Sequence, residues 1–255
     1  MTDTWDLFDQ LADTYDQVIP FFAHFGTALM DHVNPTPGAR LLDIGTGRGA
    51  IATAAAARGC HVTAIDPSPR MIKHLDANSP RISAHVMDAH RLDFPDASFD
   101  LATAGFVIHI VDDPAQVLAE LRRVVRPGGT VAFTVPGDCD DHGRWDGFNT
   151  VVREFRARAT DRGRPGKDID VEELVAAAGF INIREAEHEV HIPIDDPETC
   201  WRFQMSHGFA GFVASLSTDD AAAFKARALV ELGLMQKTGG IIVDRGAWIT
   251  LATVA

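Results

Sequence analysis

The sequence has few cysteines, a single tyrosine, no long apolar run and a shortage of basic residues. Its cysteines, Cys60, Cys139 and Cys200, are widely separated, and no two have the spacing of a metal or redox pair. We therefore expect no metal site and a reducing, cytoplasmic compartment. No apolar segment approaches the roughly 20 residues that a membrane-spanning helix needs. The first residues, from Met1 to Asp6, lack the basic start of a signal peptide.

Positive charge is scarce as well. The chain has 23 lysines and arginines against 36 aspartates and glutamates, so its formal net charge is −13. A surface of that sign repels phosphate backbones and anionic lipids, and we expect neither nucleic acid nor a membrane as the main partner. With 255 residues, of which 46% are hydrophobic, the chain can form one α/β domain with an added cap.

The middle of the chain alternates short apolar segments with helical patterns. Strands are predicted at 40–44, 61–65, 82–87, 99–104 and 130–135, followed by a long strand at about 181–192 and a last one at 241–254. Helix starts are indicated by Ser68-Pro69, by Asp113-Pro114 and by a capping box at Asp170. This order predicts an α/β fold with a doubly wound, mostly parallel, seven-stranded sheet.

Further helices fall outside this alternation, in two stretches. Two are predicted within 4–33, joined near Pro20, and others within 197–236. They are expected to form a lid over the carboxyl edge of the sheet, where ligands bind in such folds. We predict one domain over 1–255, which consists of a helical cap at 1–36, a cofactor-binding core at 37–136, and a remainder at 137–255 that completes the sheet and carries a lid at about 195–237.

The strongest local signal is the turn Asp43-Ile44-Gly45-Thr46-Gly47-Arg48-Gly49 between the first strand and its helix. Alternate glycines let the backbone turn sharply and approach a ligand, and the helix offers free N–H groups. Asp66 ends the second strand, where it can accept hydrogen bonds from both hydroxyls of a ribose. Asp88 ends the third strand and can accept from an exocyclic amino group. Together they predict a nucleoside pocket; the alternative is that both carboxylates only cap helices or turns.

These motifs resemble the core of the class I S-adenosylmethionine-dependent methyltransferases, in the group that includes the ubiquinone and menaquinone biosynthesis enzymes. The resemblance covers 40–136, which with the preceding residues is about the first three-fifths of the chain. The glycine turn resembles the first motif of that family, IDPSPRM at 65–71 its second-strand motif and MDA at 87–89 its adenine motif. Segments at 92–95, 98–100 and 121–129 complete the pattern.

The resemblance implies a Rossmann-like methyltransferase fold and S-adenosyl-L-methionine as the cofactor, with S-adenosyl-L-homocysteine as the product. It implies that Asp66 binds the ribose diol, that Asp88 and the Ala89 backbone read the adenine edge, and that Met71 packs near the adenine. Tyr15 is expected over the cofactor, although a tyrosine on an amphipathic helix can equally be a core residue. The full implied cofactor-binding set is Tyr15, Asp43, Gly45, Thr46, Gly47, Gly49, Asp66, Pro67, Met71, Asp88, Ala89, Ala104 and Phe106.

Methyl transfer to an oxygen, nitrogen or carbon nucleophile can also need a general base. His109, which follows the fourth strand, and His207, in the predicted lid, are the candidate catalytic residues, and a structural role fits each equally well. The lid is rich in aromatic residues, which favours an apolar or aromatic acceptor.

Three alternatives remain open. The glycine spacing also suits a nicotinamide enzyme, but with Tyr15 as the single tyrosine the tyrosine–lysine pair of short-chain dehydrogenases is missing. An S-adenosylmethionine-binding protein of this fold can instead catalyse a non-methylating rearrangement or cyclisation. A non-catalytic binding protein is disfavoured by the intact set of Asp43, Asp66 and Asp88. The motifs of nucleic-acid methyltransferases are missing after the fourth strand, so a small-molecule acceptor is favoured.

Overall fold

The computed structural model describes residues 4–75, 79–159, 166–167 and 169–255. Within them one sheet runs in the order β3-β2-β1-β4-β5-β7-β6. The strands are β1 Arg40–Ile44, β2 His61–Asp66, β3 Ile82–Val86, β4 Phe99–Gly105, β5 Val125–Gly137, β6 Phe180–Ile194 and β7 Ile241–Val254. Strands β1 to β5 are parallel, and β7 is antiparallel to both β5 and β6. The predicted doubly wound, mostly parallel sheet is confirmed.

Three of the described helices begin where polar caps were predicted. Ser68, Asp113 and Asp170 each accept a hydrogen bond from the backbone N–H three residues on, which satisfies an amide that the helix itself leaves open. The helices are α1 Thr4–Leu11, α2 Phe21–Val33, α3 Ala50–Ala57, α4 Pro69–His74, α5 Pro114–Val124, α6 Asp146–Arg156, α7 Val171–Ala177, α8 Pro197–Gln204, α9 Phe209–Ala214 and α10 Thr218–Thr238.

The largest differences from the sequence prediction are two element boundaries and one helix that was not predicted. The first helix ends at Leu11, and turns fill 12–20, where Asp16 has a left-handed φ of 54°. Helix α5 ends at Val124 and β5 starts at once, because the residue before a proline avoids the helical region and Pro127 lies just beyond. Helix α6 was not predicted, although Phe148, Val151 and Phe155 form its buried stripe.

The two faces of the sheet are covered by different helices. Helices α5 and α7 supply apolar side chains to the core on one face, and α2 and α3 supply those on the other. A third cluster joins α2, α6, α8, α9 and α10 to the β6–β7 hairpin, and Phe224 at its centre is fully buried among aromatic rings. This aromatic cap lies beside the sheet region that carries the glycine turn. In the described part of the chain, no helix has the length and hydropathy to cross a membrane.

Candidate active site

The glycine turn after β1 depends on backbone geometry that other residues rarely adopt. Gly45 and Gly47 have φ values of +59° and +53°. A Cβ on Gly45 would lie 2.3 Å from Cγ2 of Val107, so the turn and the segment after β4 pack too closely for any side chain. A Cβ on Gly47 would meet only the Tyr15 ring, at 3.7 Å. Gly47 therefore turns its bare backbone toward the space next to Tyr15.

The buried Asp43 side chain fixes the position of this turn. Its carboxylate accepts hydrogen bonds from Thr46 Oγ1 at 2.6 Å and from Thr103 Oγ1 at 2.8 Å, and the residue is buried. Burial raises the pKa of Asp43 to about 6, although both hydroxyls oppose the shift. Both carboxylate oxygens are thus used to fix the turn against β4. Thr103 was not predicted, because its role depends on the pairing of β1 with β4.

Asp66 joins the turn to the end of β2. One carboxylate oxygen accepts from Gly47 N and the other from Ser68 N, both at 2.9 Å. Burial raises the pKa of Asp66, and these two amides oppose the rise. A carboxylate oxygen can accept more than one hydrogen bond, so the two oxygens retain acceptor capacity toward a ligand.

Asp88 is oriented by a histidine that the sequence analysis did not single out. Both the backbone N–H and the ring Nδ1 of His90 donate to Asp88 Oδ1, at 2.9 and 2.7 Å. His90 Nε2 accepts from Asp113 N at 3.2 Å, so the ring proton lies on Nδ1. Partial burial acts to raise the pKa of Asp88, but the His90 hydrogen bonds outweigh it and hold the pKa below its ordinary value. The second oxygen of Asp88 can therefore accept from a ligand.

These residues surround a cavity of about 520 Å³. That volume is typical of small-molecule sites, which span roughly 300–1,000 Å³. Trp5 and Phe8 of α1 close one side, so the N-terminal cap contributes to the wall. The predicted cofactor-binding residues in its lining are Tyr15, Gly45, Gly47, Asp66, Pro67, Met71, Asp88, Ala89 and Phe106.

A second, smaller cavity of about 40 Å³ shares part of this wall. The residues common to both are Tyr15, Gly45, Gly47, Gly105 and Phe106, and the smaller cavity also includes the predicted Asp43 and Thr46. Its apolar wall is aromatic, since Tyr15 stacks on Phe22 at 4.9 Å and Phe25 meets the edge of Phe106 at 5.1 Å. The two cavities thus meet at the glycine turn.

Phe106 has an unusual backbone for a large side chain. Its φ is +56°, a value that costs a non-glycine residue energy and is concentrated at functional sites. Its N–H donates to Thr134 O at 2.9 Å and approaches Thr134 Oγ1 at 3.1 Å, which fixes the strained turn to β5. The strain places the ring between the two cavities.

A carboxylate and a guanidinium, those of Asp16 and Arg48, border the smaller cavity. Asp16 Oδ1 accepts from Phe22 N at 3.1 Å, and Arg48 Nη1 donates to Ala12 O at 2.8 Å. Burial raises the pKa of Asp16 to about 6, while the backbone amides and Arg48 oppose the rise. Sequence analysis gave neither residue a role, although Asp16 follows Tyr15 directly and Arg48 lies within the glycine turn.

Two members of the predicted cofactor set support the site from behind. Gly49 has φ +88° and is the N-cap of α3, and a Cβ there would lie 1.9 Å from Leu75 Cδ1. Ala104 is fully buried in β4. Neither is among the residues that line the two cavities.

The two candidate catalytic histidines are not brought to these cavities. His109 lies in a turn in which Ile110 N bonds to Val107 O, and its own carbonyl accepts from Lys167 N at 2.7 Å. A Cβ on Gly166 would approach the His109 ring to 2.6 Å, so the Gly166 backbone packs on that ring.

His207 lies within the aromatic cap. Its Nδ1 donates to Phe203 O at 2.7 Å, and the ring packs between Phe21 and Phe203. Burial lowers the pKa of His207 to about 4. Neither His109 nor His207 is among the described residues that line the two cavities. From position along the chain, His109 was predicted near the methyl group and His207 within the lid, but chain position does not determine where an imidazole points.

The comparisons with known proteins agree with this geometry. Residues 42–133 match the family described as "Methyltransferase domain". Nocamycin O-methyltransferase of Saccharothrix syringae is 28% identical over 250 residues, which are 89% of this chain and 89% of that protein. A demethylmenaquinone methyltransferase of Renibacterium salmoninarum is 33% identical over 60% of this chain and 65% of its own length. The YcgJ protein of Bacillus subtilis superposes with a TM-score of 0.60 at 17% identity, over 90% of this chain and 98% of that chain. Residues 42–133 thus match a methyltransferase domain, and over nearly its whole length the chain is similar to S-adenosylmethionine-dependent methyltransferases of class I in sequence and in fold.

Proposed function

We propose that this enzyme methylates an oxygen, nitrogen or carbon of a small, apolar or aromatic metabolite, with the two joined cavities as its binding site. The observation that carries the proposal is the arrangement of charged groups along them. Two carboxylates, Asp66 and Asp88, face the large cavity, and an Asp16–Arg48 pair borders the small one. S-adenosylmethionine has the same division, with a nucleoside at one end and an amino acid at the other.

The large cavity suits the nucleoside end. The Asp66 carboxylate would accept from the ribose hydroxyls, and the Asp88 oxygen that His90 leaves open would accept from the adenine amino group. Met71 and Ala89 offer apolar surface to the base, and Gly47 offers backbone without a Cβ. The residues present therefore fit the cofactor that the family uses.

The small cavity suits the amino-acid end. Its volume of about 40 Å³ leaves space for a few atoms, and a carboxylate and a guanidinium both border it. Asp16 would bind the ammonium group and Arg48 the carboxylate group, since each pair joins opposite charges in a partly desolvated space. Thr46, held by Asp43, would add a hydroxyl at the same place.

When bound, S-adenosylmethionine supplies a methyl group on a positively charged sulfur. The chain's own contribution is to position both reactants and to exclude water. The rings of Tyr15, Phe22, Phe25 and Phe106 meet where the cavities join, and aromatic faces stabilise a nearby positive charge. Because neither His109 nor His207 lines these cavities, our proposal assigns proton removal to neither of them.

Two observations support a small-molecule acceptor. The relatives described above carry the names of methyltransferases that act on nocamycin and on demethylmenaquinone. The formal net charge of −13 also disfavours nucleic acid and anionic membranes as partners. The aromatic cap would form the acceptor side of the site, as a part of the single domain proposed for 1–255.

The test is to incubate the purified protein with S-adenosylmethionine and a panel of phenols, hydroxyquinones and amines. We expect S-adenosylhomocysteine and an acceptor heavier by one methyl group, both detected by mass spectrometry, to form together and to require the acceptor. An acceptor converted to an isomer without S-adenosylhomocysteine would instead establish the non-methylating alternative.

A further inference from the structure

A cluster of soft and hard metal ligands lies outside the two cavities. Cys139 Sγ, one carboxylate oxygen of Glu189 and a ring nitrogen of His191 all lie within 4.8 Å of one another. Cys139 comes two residues after β5 ends at Gly137, and Glu189 and His191 lie on β6. The cysteine spacing indicated no metal site because Cys139 is far along the chain from the other two ligands.

The sheet register brings the three side chains together. Glu189 and His191 are two residues apart on one strand, so their side chains share a face. Across the ladder, Glu189 pairs with Gly246 and His191 with Asp244, while Gly137 pairs with Gly246 from the other side. Cys139 therefore leaves β5 at the level of Glu189.

The His191 ring is oriented as in protein metal sites. Its Nδ1 donates to Asp244 Oδ1 at 2.7 Å, and Asp244 is buried. This hydrogen bond fixes the proton on Nδ1 and leaves a lone pair on Nε2, the arrangement by which a carboxylate orients a metal-binding histidine. Arg144 Nη1 donates to the second oxygen of Asp244, which holds that carboxylate in place.

The separation of two of the ligands already suits zinc. His191 Nε2 and Glu189 Oε2 are 3.5 Å apart. Bonds of about 2.0–2.3 Å in a tetrahedron place ligand atoms about 3.3–3.8 Å apart. The nearby Arg245 donates to the backbone carbonyl of Asp244 and lies over the Trp145 ring, so its guanidinium is held by other groups.

We propose that Cys139, Glu189 and His191 bind a zinc-type divalent cation, with Asp244 as the residue that orients His191. A thiolate and an imidazole select zinc over magnesium or calcium. Three protein ligands leave the fourth position of the tetrahedron to water. The ion would join the segment after β5 to the β6–β7 hairpin, beneath the start of α6.

The test is a zinc titration of the full-length, untagged protein against a chromogenic chelator, with cobalt(II) absorption as a second readout. We expect one ion per chain, bound at least tenfold more weakly by Cys139→Ser and by His191→Gln. The sulfur-to-cobalt charge-transfer band is expected to vanish in Cys139→Ser alone, because the other two ligands contain no sulfur.

The matched control is His142→Asn, in the same segment as Cys139 but paired with Asp140. It should bind zinc as the wild type does. A wild type that binds no zinc, a Cys139→Ser variant that binds as the wild type does, or equal loss in His142→Asn would overturn the proposal. None of these results depends on methyltransferase activity.

Discussion

Asp16 and Arg48 are the residues whose assignment can be separated most cleanly from the rest of the site. If they bind the amino-acid end of the cofactor, Asp16→Asn and Arg48→Gln should each weaken S-adenosylhomocysteine binding by about 10–100-fold, the worth of a charged hydrogen bond. Neither substitution should weaken the binding of 5′-methylthioadenosine, which lacks the amino-acid end. Calorimetric titration measures both, and Asp13→Asn, an exposed cap acid paired with Arg70, is the control. Equal losses for the two ligands would contradict the assignment.

The same pair predicts a pH dependence. Burial raises the pKa of Asp16 to about 6, so its charge is lost as pH falls through that value. An ammonium group binds only the charged form well. The wild type should therefore bind S-adenosylhomocysteine more weakly at pH 5 than at pH 7.5, and Asp16→Asn should show a smaller difference. If the affinity of the wild type does not change over this pH range, Asp16 does not face the charged group of the ligand.

Asp88 and His90 should determine the choice of base. S-inosylhomocysteine has a carbonyl where adenine has its amino group, so it places a hydrogen-bond acceptor, in place of a donor, opposite Asp88. We expect the wild type to prefer the adenine ligand by tenfold or more and Asp88→Asn to lose most of that preference. His90→Ala should lose part of it, because the carboxylate then lacks the ring Nδ1 donor and keeps only the backbone N–H of residue 90. Unchanged preference in Asp88→Asn would place the adenine elsewhere.

At the scale of elements, His207 links the stability of the aromatic cap to pH. Burial lowers its pKa to about 4 in the folded protein, against about 6.5 in the unfolded chain. Between these values the unfolded state binds a proton that the folded state does not, so stability falls as pH drops from about 6.5 to about 4. This loss of stability is absent above that pH range and reaches its full size below it.

We therefore expect His207→Phe to retain more of its neutral-pH stability at pH 4.5 than the wild type does. The difference can reach up to about 3 kcal/mol, the equivalent of this pKa change. Urea unfolding at pH 7.5 and 4.5 measures it, with exposed His142→Asn as the control. Parallel losses in wild type and His207→Phe would mean that the ring is accessible to protons in the folded cap.

The helices also show which features of the fold could be predicted from the sequence. Local signals such as Ser68-Pro69 and Asp113-Pro114 predicted helix starts correctly, because a cap acts within one turn. Helix α6 was missed although Phe148, Val151 and Phe155 follow a helical period, since only the packed cap distinguishes that stripe from a loop. The site followed the same rule. Asp66 and Asp88 follow from strand ends, whereas Thr103 and the Asp16–Arg48 pair depend on contacts between distant segments. His90 lies only two residues from Asp88, but the distant Asp113 fixes its ring tautomer.

At the scale of the whole molecule, the proposed function requires one continuous site that runs from the N-terminal helices across the glycine turn to the aromatic cap. Helix α1 and the turn after it are joined to the core by specific contacts: Asp9 accepts from Ser68 Oγ and Arg70 N, and Arg48 donates to Ala12 O. The cofactor would then be enclosed partly by α1, whose Trp5 and Phe8 line the large cavity. The central claim is that this enclosed space binds S-adenosylmethionine through Asp66.

The most direct test is calorimetric titration of the wild type and of Asp66→Ala with S-adenosylhomocysteine, with NADH as a competitor ligand. We predict micromolar binding to the wild type, about −8 kcal/mol, a loss of about 10–100-fold in Asp66→Ala and no binding of NADH. Asp66→Asn, which keeps one of the two oxygens that accept from Gly47 N and Ser68 N, is the milder variant, and exposed Asp93→Ala is the matched control. Absence of S-adenosylhomocysteine binding, unchanged affinity in Asp66→Ala, or preference for NADH would contradict the account.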